Sequence, residues 1–342
     1  MEEIDYGDIQ RVLDEILGNN MDFGQMVEAG SKGENLTLLS SLGKLFWDIF
    51  VEELFSQKQM WMHILILAIA AAVLLHFSDV FQNKSVSQIS FCMIYMILFL
   101  ILITSFQSSL GIAKEVTQNM RAFMTVLAPA YILAMSMTSY LTSASVYYEF
   151  ILLLISAIRW FMEAFILPCI EIYVLLVLAN NLSKESRLTR FADLTEMLVG
   201  WSLKAAMALV MGFHMIQGII TPAADSFRAT AISKGLDMVP GVGDISGSVT
   251  DMVIGSAMLI KNGIGAAALV ALIFVCAIPL VKLLVIMLAY YLLAAILQPV
   301  SDERITGCLA GMGTGVKLLF QAVFAVLVLF LLTIALTAAM TG

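Results

Sequence analysis

Charge is what this chain has least of. Only 13% of its residues are Asp, Glu, Lys or Arg, against 61% apolar ones, and mean hydropathy is +0.95. That balance excludes an ordinary soluble domain. A basic patch able to follow nucleic acid is missing as well. The three histidines, His63, His76 and His214, are too scattered to hold a metal, and no HExxH, P-loop or G-x-S-x-G stretch occurs. No cofactor is expected, and the chain does not read as an enzyme. Four cysteines, Cys92, Cys169, Cys276 and Cys308, lie in or beside apolar runs with neither zinc spacing nor a disulfide framework, so they read as small buried thiols. Strict apolar/polar alternation is also absent, which excludes a membrane β-barrel.

What is present is a series of apolar runs about 20 residues long, enough for a helix to cross a hydrocarbon core of roughly 30 Å. The expected class is an all-α polytopic membrane protein with about six spanning helices, two of them long and proline-kinked, plus two broken helical hairpins. Residues 1–58 form an acidic amphipathic helical prelude, holding twelve of the 26 acidic residues before Phe55. The start MEEIDYGD has no basic or apolar leader region, so no signal peptide is read there. Ile9, Val12, Leu13, Ile16 and Leu17 recur at helical spacing behind Asp8 and stop at Gly18. Leu39, Leu42, Phe46, Ile49 and Phe50 form a second apolar face. Its polar side is acidic, so packing on protein is a better motive than attraction to anionic lipid.

Residues 59–110 hold two spans, over 61–77 and 89–110, followed by the polar GIAKEVTQNMR. Later apolar stretches run over 122–140, 145–182, 201–220, 266–297 and 315–340, and 145–182 and 266–297 are too long for one upright crossing. Six prolines are few enough that each position is informative. Pro129 and Pro168 are 39 residues apart, and so are Pro240 and Pro279. GWSLK (200–204) and GTGVK (313–317) recur at nearly the same offset, so 121–220 and 232–340 read as two copies of one repeat of about 110 residues. In each copy a proline-interrupted hairpin precedes a long kinked helix, a polar loop and a plain helix.

In the second copy the hairpin falls on Pro240, Gly241, Gly243 and Asp244, within VPGVGDISGS, with Lys261 on the helix that follows. Two readings stay open: the turn of a re-entrant hairpin covered by protein, or an extramembrane loop with a surface helix. Inside the spans, Arg159, Glu163, Glu171 and Lys282 are candidates for an intramembrane charge network, because a charge there costs roughly 2.5–3.5 kcal/mol. Arg159 and Glu163 are spaced to pair on one helix face. Glu171 and Lys282 each follow a proline by three residues, and the repeat predicts that they meet. Lys204 and Lys317 sit near span ends, where long side chains reach the headgroups.

VPGVGDISGS, LIKNGIG (259–265), IPLVK (278–282) and YYLLAAILQPVSDERI (290–305) together resemble the stage III sporulation protein AE family of endospore-forming bacteria. The resemblance implies a non-enzymatic membrane component of a multi-protein, secretion-like channel linking mother cell to forespore, needed for forespore development. It implies the mother-cell membrane around the forespore as location. The partners it implies are membrane lipids, the other channel proteins and further copies of the chain, with no nucleic acid. The alternative from the residues alone is a secondary transporter with its site at the repeat interface. Lys184, Arg187 and Arg190 form the densest basic loop, which predicts a cytoplasmic 183–199 and an extracytoplasmic N-terminal region. Such an outside start agrees with a family whose members often begin with a signal sequence.

Overall fold

The computed structural model describes residues 6–17, 22–32, 47, 50–56, 58–80, 84–136, 141–182, 187–236 and 243–340. Every element among them is helical. In chain order they are α1 (Gly7–Leu17), α2 (Phe23–Lys32), α3 (Lys58–Val80), α4 (Lys84–Ser136) and α5 (Leu141–Phe161). A single π turn (Met162–Ile166) then leads into α6 (Leu167–Leu182), followed by α7 (Thr189–Leu236), α8 (Gly243–Leu297) and α9 (Glu303–Met340).

α1 forms where the spacing predicts it, burying Ile9 and Leu13. α2 starts at Asp22, whose carboxylate accepts the Gln25 amide at 3.1 Å, and it buries Phe23, Met26 and Val27. The Gln10 side-chain oxygen accepts the Phe23 amide at 2.8 Å, and the Tyr6 ring meets Phe23 edge-on, so the two short helices are tied together. Burial pushes the Tyr6 hydroxyl above its ordinary pKa, which keeps it neutral. α2 then lies against α8, and α1 against α4 and α8, which makes protein the support of this acidic pair. Of the second predicted face only Phe50 falls among the described residues, stacked 6.0 Å from Trp47.

α4 departs from expectation. The runs 89–110 and 122–140 belong to one helix of 53 residues up to Ser136, and the polar GIAKEVTQNMR between them is helical too. The reason is local. The segment has no proline and is made largely of good helix formers, and it buries Ala113, Val116, Thr117 and Met120 on one side. Pro129 removes only one backbone bond within the helix, and LAPAYI (127–132) is helical where a broken hairpin was expected. The helix instead ends at Ser136. In the second copy Pro240 and Gly241 lie outside the described residues, while Gly243, Asp244 and Lys261 lie within the α8 backbone.

Pro168 and Pro279 both stand inside long helices, as anticipated, but in different ways. Pro279 sits in unbroken α-helix. Pro168 follows the π turn, in which the Leu167 amide reaches back to the Met162 carbonyl. Among the described residues five helices are long and apolar enough to cross a membrane: Phe91–Ala134, Tyr148–Leu182, Thr189–Phe213, Asn262–Leu297 and Glu303–Ala338. In α3 the apolar stretch Trp61–Ala70 is described as well. Of the six expected spans the one over 61–77 is not among these five, and 122–140, expected as part of a broken hairpin, continues 89–110 in α4.

α8 and α9 form the centre of the bundle, an antiparallel pair with the most extensive packing. α4 covers both, while α6 and α7 pack on α9. One end of the bundle gathers the α6–α7 and α8–α9 connections. There the Arg304 guanidinium lies 3.4 Å over the Phe91 ring, and the Tyr95 hydroxyl donates to the Leu178 carbonyl at 2.6 Å. At the other end Gly265 of α8 meets Ala338 of α9 and Tyr131 of α4.

Candidate functional site

One group of charges lies where α4 runs beside α5 and α6. On α4, Lys114, Gln118 and Arg121 share a helix face by their spacing. Across from them the α5–α6 rod carries Arg159, Glu163 and Glu171. Arg159 Nε donates to Glu163 Oε2 at 3.2 Å, so this pair forms as its spacing dictates. Lys114 Nζ approaches Glu171 Oε1 at 3.5 Å. Arg121 makes no ion pair with a described residue.

Glu171 therefore finds Lys114, and the predicted meeting with Lys282 does not occur. Lys282 is half-buried on α8, whose principal neighbours are α9, α4 and α2 rather than the rod that carries Glu171. The structure brings Arg159 and Glu163 together, joins Glu171 to a different helix, and leaves Lys282 apart from all three. Lys114 and Arg121 were missed as site residues because their segment reads as a connection between spans. Its unbroken helix formers were the signal that could have placed them.

Between α4 and α5 opens a groove of about 950 Å³. Arg121, Thr125, Ser156, Arg159, Trp160 and Glu163 supply its polar and aromatic lining, and α1 contributes Val12 at its edge. It continues inward past Thr117 and Gln118 towards Phe330 of α9. On the far side of α5 lies a second cleft of about 500 Å³, walled by α5 and α7 and floored by Ala325 and Leu329 of α9. That cleft is apolar except for Ser202, and Trp160 borders both spaces.

Several polar groups deeper in the bundle are satisfied by other protein groups. Thr117, Thr333 and Ser109 donate to carbonyls one turn back on their own helices, and Tyr290 donates to Ser105. The Tyr290–Ser105 bond ties α8 to α4, while the other three stay within one helix. Among the described residues no set of three or more His, Cys, Asp or Glu side chains gathers as metal ligands. The arrangement can bind and neutralise charge; it contains no nucleophile paired with a base.

A second feature escaped the sequence reading. Gly307, Gly311 and Gly315 line the face of α9 that meets Asn181, Val177 and Val174 of α6. Four-residue glycine spacing was legible as a close-packing signal.

Comparison with known proteins identifies the family. The family model for stage III sporulation protein AE matches residues 21–341. The chain is 25% identical over 324 residues to the stage III sporulation protein AE of Bacillus subtilis (strain 168), covering 92% of this chain and 81% of that protein. No solved structure matches.

Proposed function

The chain belongs to the stage III sporulation protein AE family, and from that premise we propose that it is a non-enzymatic core subunit of the channel complex joining mother cell and forespore. In this reading it is a multi-pass protein of the mother-cell membrane around the forespore, assembled with other channel proteins and with copies of itself. Residues 1–58 stand outside the cytoplasm, and 121–220 and 232–340 act as two related halves of the membrane part.

The observation that carries the reading is the Lys114–Glu171 pair. Its side chains are 49% and 42% exposed, yet both belong to helices apolar enough to span. Lipid is a poor neighbour for such a pair, since each charge costs roughly 2.5–3.5 kcal/mol at mid-membrane. Protein or water must face it, and a neighbouring subunit supplies that cover. The transporter alternative has less support, because Lys282 and Glu171 do not converge on a shared site between the halves.

The test is made in sporulating cells. A clean deletion is expected to leave engulfment intact and stall forespore development, and the tagged protein is expected to co-isolate other channel proteins. Glu171→Leu alone should lower the amount recovered in the complex, and Glu171→Leu with Lys114→Met should restore much of it. One broken pair costs between the ~1 kcal/mol of an exposed bridge and the ~3 kcal/mol of a buried one. Normal spores from the deletion strain, or solute uptake by the isolated protein in liposomes, would overturn the assignment.

A further inference from the structure

We propose that the groove between α4 and α5 binds the phosphate of an anionic phospholipid, with Arg121 as its principal ligand and the acyl chain laid past Trp160 into the apolar cleft between α5 and α7. The argument begins with charge. The groove holds two guanidinium groups, Arg121 and Arg159, and one carboxylate, Glu163. Glu163 is engaged by Arg159, which leaves Arg121 as the groove's cation without an ion pair among the described residues. Of α1 only Val12 reaches the wall: Asp8, one turn away on that helix, is bonded to Arg11, and Glu15, one turn the other way, is not part of the lining. A lone positive charge on a spanning helix requires an anion.

The chemistry of the wall selects the kind of anion. Guanidinium groups match phosphate oxygens two at a time. The hydroxyls of Thr125 and Ser156 donate at 2.8 Å to carbonyls of their own helices, and a rotation about χ1 turns either toward an oxyanion. Basic pockets between spanning helices are where anionic headgroups settle.

The source of the phosphate follows from the second cleft. Trp160 is 69% exposed and borders both the charged groove and the apolar cleft, where Leu153, Leu209 and Phe213 offer an acyl chain a continuous surface. Indole rings favour the boundary between headgroup and hydrocarbon. A free phosphate ion would use only the first space, whereas a phospholipid fills both. A zwitterionic headgroup carries its own cation beside the phosphate and leaves Arg121 no better neutralised, so the preference is for a lipid with net negative charge.

The full-length protein is purified in detergent, and retained lipid is counted by native mass spectrometry against phosphatidylglycerol and phosphatidylcholine of identical chains. About tenfold preference for phosphatidylglycerol is expected. Arg121→Gln should bring the preference close to unity, and Arg121→Lys should keep part of it. Trp160→Ala should weaken both lipids alike. Glu163→Gln frees Arg159 and should raise the preference, a gain that misfolding cannot produce. Equal retention of the two lipids by the unaltered protein overturns the proposal, as does an unchanged preference in Arg121→Gln. Displacement of the lipid by millimolar inorganic phosphate would make this a site for a free anion. Because the measurement uses the chain alone, it can fail without touching the channel assignment, and the reverse also holds.

Discussion

At the scale of single residues, three glycines decide how closely α9 approaches α6. A Cβ added at Gly311 would lie 2.1 Å from Val177 Cγ1, and one at Gly315 would lie 2.4 Å from Val174 Cγ2. Both obstacles belong to β-branched side chains with little rotamer freedom, so the helices themselves would have to separate. Gly311→Ala is therefore expected to destabilise by about 1–3 kcal/mol, the usual range for overpacking. Val177→Ala in the same chain should recover most of the loss. Gly200 on α7 is the control, since nothing lies within 4 Å of its added Cβ. There the substitution should be neutral or slightly stabilising, because alanine is the better helix former by about 1 kcal/mol. Thermal unfolding of the purified protein in detergent compares the three, and equal melting of Gly311→Ala and Gly200→Ala would refute the close-packing account.

At the scale of elements, the rod from α5 to α6 shows how a proline can be absorbed without ending a helix. Pro168 has no amide to donate, and its ring crowds the carbonyl of Ala164. The π turn over Met162–Ile166 takes up that conflict by one wider turn, in which Leu167 bonds to Met162. The wider turn also sets the rotation of α5 relative to α6, and so where Arg159 points when Glu171 faces Lys114. Pro168→Ala should let the rod close into plain α-helix and turn α5 against its neighbours. Protein levels are expected to hold while spore yield falls, and unchanged yield would show that the turn has no role beyond accommodating proline. The two overlong spans and the Arg159–Glu163 pair were legible because length, proline and spacing are written in the chain itself. The continuity of α4 was not, because a helix turning a polar face outward has the same hydropathy as a loop. The partner of Glu171 was hidden for another reason. Which helices become neighbours is settled by packing such as the α6–α9 glycine row, and matched proline positions carry no information about that.

At the scale of the whole molecule, the helices are longer than a bilayer is thick. The 36-residue spans of α8 and α9 measure about 54 Å at 1.5 Å per residue, against about 40–45 Å for a bilayer including headgroups. Some of the bundle must stand clear of the hydrocarbon, and charge indicates which part. α9 opens with Glu303 and Arg304 and carries no charged residue after Lys317. α7 has Arg190, Asp193 and Glu196 in its first turns, then exposes Leu209. We propose that the end bearing the α6–α7 and α8–α9 connections lies at the surface or in water, and the basic residues Arg187 and Arg190 support a cytoplasmic side for it. Single cysteines placed at Asp193 and Leu209, after replacement of Cys92, Cys169, Cys276 and Cys308, separate the possibilities in cells expressing the protein. Asp193→Cys should react with a membrane-permeant maleimide and resist an impermeant one added outside, while Leu209→Cys should resist both. Equal labelling at the two positions would mean that water follows α7 through its full length, and the helix would line an aqueous path. Labelling of Asp193→Cys by the impermeant reagent would reverse the orientation. The connections would then face outward, and the acidic α1–α2 pair, held against α8 and α4, would have to be placed on the opposite side from the one that the basic 183–199 loop predicts.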